Sequence, residues 1–153
     1  MAIMNMFRKV TGGAADVELT VENAVRGQKA KVTVNVRVGS AALKVKRVYV
    51  RLVANEGVDI PRYSAPSQPG ATGGSNIIHV RSTEQVSSQE VTIAEGQELA
   101  AETTAQFTGE IAVPSGLPSF TGQIIRMEWQ ALAGLDVAWS TDPSSGWIDV
   151  NVT

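Results

Sequence analysis

Side chains able to carry chemistry are few and scattered. His79 is the only histidine, and the chain has no cysteine. Histidine acting as a general base needs a nucleophile to activate and a group to orient it, and no serine stands in a Gly-x-Ser-x-Gly elbow. The alternating run Ile77-Ile78-His79-Val80-Arg81 places the ring on a strand, as a surface or cross-strand residue. A single imidazole without thiolates builds neither a His-rich nor a sulfur-based zinc site. Asp136, Asp142 and Asp149 lie near strand ends, where carboxylates and carbonyls can gather calcium. The Asp-x-Asp-x-Asp-Gly spacing is missing, however, and ordinary turn chemistry accounts for all three. Glu95 and Glu98 flank a Gly-Gln turn as solvated carboxylates, and Gly73-Gly74-Ser75 lacks the Lys-Ser or Lys-Thr of a phosphate-binding loop. Asn151-Val152-Thr153 spells a glycosylation acceptor that matters only in a secreted chain. The expectation is a non-enzyme with no cofactor and no metal.

What must position these residues is a single compact body, because 153 residues at 43% hydrophobic content suit one core. A net charge of −2, with Lys and Arg scattered among Asp and Glu, offers no field for nucleic acid or for strong membrane binding. The first residues lack a secretory signal and no stretch approaches the roughly 20 apolar residues of a membrane span, so a soluble cytoplasmic protein is expected.

Period two dominates the pattern. Val17, Leu19 and Val21 alternate with Glu18, Thr20 and Glu22, and after the Val25-Arg26-Gly27-Gln28 turn Val32, Val34, Val36 and Val38 alternate with polar residues. Leu43 and Val45 are odd while Val48, Val50 and Leu52 are even, which predicts a bulge near Lys46 and Arg47. Further strands are predicted at 76–82, 86–93, 99–113, 122–133, 136–139 and 147–152, with Leu99, Ala101, Ala105, Phe107, Ile111 and Val113 as one inward row. About nine strands punctuated by Gly, Pro, Ser and Asn predict an all-β antiparallel sandwich over residues 14–153.

Two segments break the pattern. Residues 55–75, rich in proline and glycine, read as a long irregular loop, either a passive connection or a contact surface. Arg62 and Tyr63 are its candidate binding residues. In residues 1–13, Ile3, Met6, Phe7 and Val10 fall at helical spacing and Gly12-Gly13 ends the stripe, which predicts a short amphipathic helix. Its stripe either packs on the sandwich or presents Met6 and Phe7 to a partner; two basic residues make membrane binding alone weak. Trp129 and Trp139 fall in phase with core rows, whereas Trp147 lies opposite the row Ile148, Val150 and Val152 and is the aromatic candidate for binding.

The segment Pro114-Ser-Gly-Leu-Pro-Ser-Phe-Thr-Gly122, the run Leu135-Asp-Val-Ala-Trp139 and the Val25–Gln28 turn together resemble the arrestin-like β-sandwich family. The lead-in Met6-Phe-Arg-Lys-Val10 is similar to the start of the bacterial sporulation-control proteins in that clan. The resemblance implies an immunoglobulin-like sandwich serving as a protein-binding adaptor or regulator. It does not carry over phosphate sensing, since no counterpart of the clan's buried charged switch is found. Members of the clan pair two sandwiches and this chain carries one, which leaves a second expectation: a structural subunit that self-associates through edge strands. Ser87–Ile93 and Trp147–Val152 are the expected edges.

Overall fold

The computed structural model describes residues 13–64, 76–138 and 140–153, with backbone alone at 62–64 and 76–77. Every regular element among them is a strand. β1 (Ala15–Glu22) and β2 (Lys29–Val38) form the predicted opening hairpin, with Val17 opposite Val36, Leu19 opposite Val34 and Val21 opposite Val32. At its turn the Gln28 N–H donates to Val25 O at 3.1 Å, and Gly27 takes the φ of 73° that the third position of a type II turn requires. β3 (Leu43–Ser64) and β4 (Asn76–Leu99) are a long antiparallel pair, and β5 (Thr104–Ala112) returns to β2, completing a three-stranded sheet in the order β1-β2-β5. β6 (Phe120–Thr121), β7 (Ile125–Val137) and β8 (Ile148–Val150) join the larger sheet, where β7 pairs with β3 and the two short strands share the far side of β7.

Inward side chains of both sheets form one core, so the layers make a sandwich. It includes Val32, Val34 and Val36 of β2, Val48, Val50 and Leu52 of β3, and Trp129, Ala131, Ala133 and Leu135 of β7. Each fully buried valine or leucine contributes about 1.5–3 kcal/mol of transfer free energy. Trp129 is core as predicted, and its indole N–H donates to Leu117 O at 2.9 Å, which satisfies its one polar atom. β3 changes phase where the sequence places it: against β7, Val45 faces Val137 and Arg47 faces Asp136, so the bulge takes up Lys46.

Other expectations are corrected. Residues 55–64 are not loop; they extend β3 and pair with residues 76–85 of β4. At Gly57 the missing side chain leaves room for the Arg126 guanidinium, which lies directly over it. Pro61 is tolerated because β7 stops pairing at Val58, leaving one side of β3 without a ladder to break. Residues 65–75 lie outside the described residues, as do Trp139 and, apart from Gly13, the N-terminal segment expected to be helical. The strands predicted at 76–82 and 86–93 are one strand whose register shifts leave Val86 and Ile93 as bulge residues. The row predicted over 99–113 is cut at 100–103, where the Thr103 hydroxyl donates to Ala100 O at 2.6 Å and Glu102 has a φ of 57°. Leu99 therefore ends a strand of the larger sheet, Ala101 lies in the turn, and Phe107 belongs to the smaller sheet. Segments 122–133 and 136–139 merge into β7, giving eight strands among the described residues.

Where β4 passes β5, Gly109 faces the bulged Ile93, and a Cβ at 109 would lie 2.7 Å from Ile93 Cγ2. Glycine to alanine within a strand ordinarily gains about 0.5–1 kcal/mol. Here Gly109→Ala is expected to lose about 1–3 kcal/mol through overpacking, measured by urea unfolding, and Ile93→Ala is expected to recover part of that loss. A Gly109→Ala chain as stable as its parent would mean that the sheets do not meet at this point.

Candidate functional site

β3 and β4, at 22 and 24 residues, outrun the smaller sheet, whose strands have 8, 10 and 9. The alternation that buries Val50 and Leu52 continues past Ala54 and puts Val58 and Ile60 on the same face. Val80 lies opposite Ile60, and Ile78 follows two residues away on β4. Across β3, Ile125 of β7 pairs with Val58, and Phe120 of β6 pairs with Met127. Cross-strand partners share a face, so Ile60, Ile78, Val80, Ile125 and Phe120 all lie on the side that carries the core. They are 39–55% exposed, whereas Val50 and Leu52 are at 0–1%. Glu56 and Glu84 face each other between this apolar floor and the core, giving the floor a charged inner margin.

The outer face of the same ribbon is tied by charge. Asp59 accepts from Arg81 Nε at 3.1 Å through Oδ2, and its Oδ1 lies 2.9 Å from His79 Nδ1. The His79 hydrogen bond, followed by the Arg81 guanidinium, holds the Asp59 carboxyl below its ordinary range. His79 is thus an exposed cross-strand residue, as the sequence predicts.

Farther along this face, Arg47 Nη2 and Arg51 Nη2 donate to the two oxygens of Glu90 at 3.1 and 2.8 Å. Arg47 also pairs with Asp136 at 3.6 Å and lies over the Tyr49 ring at 4.7 Å. The Tyr49 ring rests on Gly134, where a Cβ would come within 2.4 Å of Cζ, and its hydroxyl donates to Asp142 at 3.4 Å. Burial, and then the Asp142 charge, push that hydroxyl's pKa up. Asp142 also accepts the Val137 N–H, and Asp149 accepts from Gln130 Nε2 at 3.1 Å. All three aspartates considered for calcium therefore bond to protein groups. Among the described residues no three His, Asp or Glu side chains gather around a cation site.

A cleft of about 670 Å³ on the smaller sheet is lined by Asp16, Glu18, Asn35, Arg37, Thr104 and Gln106. Asn35 and Gln106 bond to each other there at 3.0 Å, and the cleft presents no large apolar anchor. The apolar floor is the stronger candidate for recognition, since exposed contiguous apolar surface marks interaction sites.

The structure brings some predicted residues to this floor and not others. Arg62 and Tyr63 are paired opposite Ile78 and Ile77, which sets their backbone at the distal end of the ribbon. Trp147 is exposed, as predicted, but it leads into β8 on the far side of β7, away from β4. Met6 and Phe7 lie outside the described residues. Ile60, Ile78, Val80, Phe120 and Ile125 escape the sequence reading. The signal was present as Val58-x-Ile60 and Ile78-x-Val80, in phase with the core rows but hidden by the density of proline and glycine around them.

Residues 3–146 match the Spo0M family model, described as SpoOM protein. Among solved structures, the chain is similar to the crystal structure of Spo0M, a sporulation control protein from Bacillus subtilis, with 19% identity and a TM-score of 0.59. That match covers 92% of this chain and 49% of the other, so the chain spans about half the length of that structure. No curated protein sequence matches. The arrestin-like resemblance and its sporulation-control branch, read from turns and strand order, are borne out. Among the described residues no helix is long and apolar enough to cross a membrane.

The charged band has a pH signature. Glu90 is held below its ordinary pKa of 4.5, by Arg51 first and then Arg47, so its contribution is present above that value and fades as pH falls through the lowered one. Glu90→Gln is expected to cost about 1 kcal/mol at pH 7, given the partial exposure of the pair, and less at pH 2, as read by urea unfolding at both. An equal gap at the two pH values would show that the carboxylate charge is not what stabilises the band.

Proposed function

Because the chain belongs to the Spo0M family, we propose that it is a non-catalytic regulatory module of arrestin-like type that works in the cytoplasm by binding protein. The observation that supports this is the apolar floor formed by Ile60, Ile78, Val80, Phe120 and Ile125, bordered along β4 by an edge strand. A sheet face of this kind offers apolar anchors at its centre, while Glu56, Glu84 and Ser82 supply a polar margin. The edge beside it can accept an extended segment by strand addition, with backbone hydrogen bonds giving affinity and alternate side chains giving selectivity. Control of another protein's state requires only that such a surface be occupied or free. The B. subtilis relative is named for sporulation control, a role that a binding surface can fill without chemistry. By register Arg62, opposite Ile78, falls at the end of the proposed surface, while Tyr63, opposite Ile77, alternates to the other face.

The test is quantitative capture of a protein partner from native cell extract by the immobilised chain, followed by affinity measurement with the purified partner. A paired Ile60→Asp and Val80→Asp change is expected to weaken binding by at least about 30-fold, the equivalent of one hot-spot residue, with an unaltered far-ultraviolet spectrum. Trp147→Ala is expected to retain binding. If Trp147→Ala abolishes it in a folded chain while the paired change does not, the binding surface lies beside β8 instead.

A further inference from the structure

β4 is the outermost strand of the larger sheet, and its edge is not uniform. Bulges at Val86 and Ile93 distort its upper part, and Ile93 is pressed against Gly109. From Asn76 to Gln85 it follows β3 residue for residue, with neither bulge nor proline. Charge, proline and bulges are the devices that keep edges from pairing, and the last two are missing from this stretch. The same ten residues carry Ile78 and Val80 of the apolar floor, so among the described residues an unpaired edge and an apolar face coincide.

The geometry points to a second copy of this chain as the occupant, joined by antiparallel pairing of the two β4 segments about a two-fold axis through His79. The inference rests on the binding role proposed for this surface and names its partner. In an antiparallel pair, opposite side chains share a face, so a two-fold axis normal to the sheet must pass through a residue. An axis at His79 sets Ile78 opposite Val80 of the second copy, and Val80 opposite its Ile78. Axes at Ile78, Val80 or Arg81 leave at least one of these facing Asn76, Ser82 or Glu84. Only the His79 axis therefore gives both apolar residues apolar partners. It also carries the floor across the junction, from Ile60 through Val80 to Ile78 of the second copy, within one continuous sheet.

Charge on the other face is compatible with this register. Each copy brings Asp59 and Arg81, already ion-paired, so this pair adds no net charge beside the axis. Residues 76–82 then pair with 82–76 of the second copy, and their alternating pairs supply about six hydrogen bonds, within the 10 ± 5 of a typical interface. The isologous contact closes on itself, giving a dimer rather than a filament. Its consequence is a wider platform, because the two apolar floors meet side by side on one face.

The absence of cysteine makes the register directly testable. Light scattering after size exclusion, over a wide concentration range, is expected to show the full chain passing from 16.2 kDa to about twice that mass. Val80→Lys, at a half-exposed position that leaves folding intact, is expected to keep it monomeric. With oxidised glutathione, His79→Cys is expected to give a disulfide-linked dimer, since opposed Cα atoms of an antiparallel pair, about 4.5–5.5 Å apart, lie within disulfide range. Ser88→Cys, beyond the bulge on the same face, is expected to give none. A monomer at every concentration overturns the proposal, as does a dimer that survives Val80→Lys or one that Ser88→Cys links as readily as His79→Cys. If the chain stays monomeric but Val80→Lys still loses capture of another protein, the second copy falls and the binding role stands. If Val80→Lys changes neither mass nor capture, both fall.

Discussion

The dry layer between β2 and the β3–β7 pair is the interaction on which the molecule depends. Val32, Val34 and Val36 share one core with Val48, Val50, Leu52, Ala131 and Leu135, all at most 1% exposed. Small and β-branched side chains suit this layer, because they pack on a pleated surface with little rotamer entropy to lose. The two sheets are of unequal length, so the layer must end while β3 and β4 continue. It ends where Glu56 faces Glu84, since two carboxylates on opposite strands cannot sit in a dry interface without a counter-charge. The apolar pattern then resumes at Val58 and Ile60 with no smaller sheet to cover it. The exposed floor is a consequence of strand length combined with that charged interruption.

The edges of the larger sheet are handled in contrasting ways. The far side of β7 is filled by β6 near Met127, by β8 from Trp129 to Ala131, and by a single bridge between Gly134 and Ser144. Ser119 ties these pieces together: its hydroxyl donates to Val150 O and accepts the Val152 N–H. The Thr153 backbone then bonds to Ala24 and Arg26 at the end of the β1–β2 hairpin, linking the two sheets. On the β4 side, protection comes from bulges, which twist an edge and spoil its ladder. Because they lie at Val86 and Ile93, this protection stops short of the ribbon, whose edge runs straight from Asn76 to Gln85.

Legibility in the sequence followed the strength of the periodic signal. Rows such as Val32 to Val38 declare both strand and face, and the change of parity between Val45 and Val48 located the Lys46 bulge, because a one-residue slip flips every later side chain. Trp129 and Trp147 were separated correctly by parity alone, one to the core and one to the surface. The ribbon was missed because Pro61 and Gly57 are loop formers by intrinsic preference, and their acceptance depends on tertiary facts. Pro61 needs the end of the β7 ladder at Val58, and Gly57 is covered by the Arg126 side chain that packs over it. The turn at 100–103 was hidden for a related reason: Ala101 fits an inward row by parity, while the positive φ at Glu102 carries no sequence signature comparable to glycine. Most of the fold was thus readable, but the candidate site sits where local preference and tertiary context disagree.

That disagreement bears on how the ribbon can present an apolar face at all. A two-stranded hairpin alone is marginally stable in water, and one exposing isoleucines would ordinarily collapse or fray. Here the outer face supplies the rigidity that the inner face lacks. Asp59 bridges His79 and Arg81, while Arg126 packs on Gly57, reaches Thr83 across β3 at 3.2 Å and pairs with Glu128 at 3.4 Å. Each exposed contact is weak on its own, but together they tie three strands at the point where the smaller sheet no longer helps. A surface ordered before its partner arrives loses little conformational entropy on binding, and that saving falls directly into affinity. Folding thus orders the apolar floor in advance, and the polar outer face is what makes this possible where no described residue covers it.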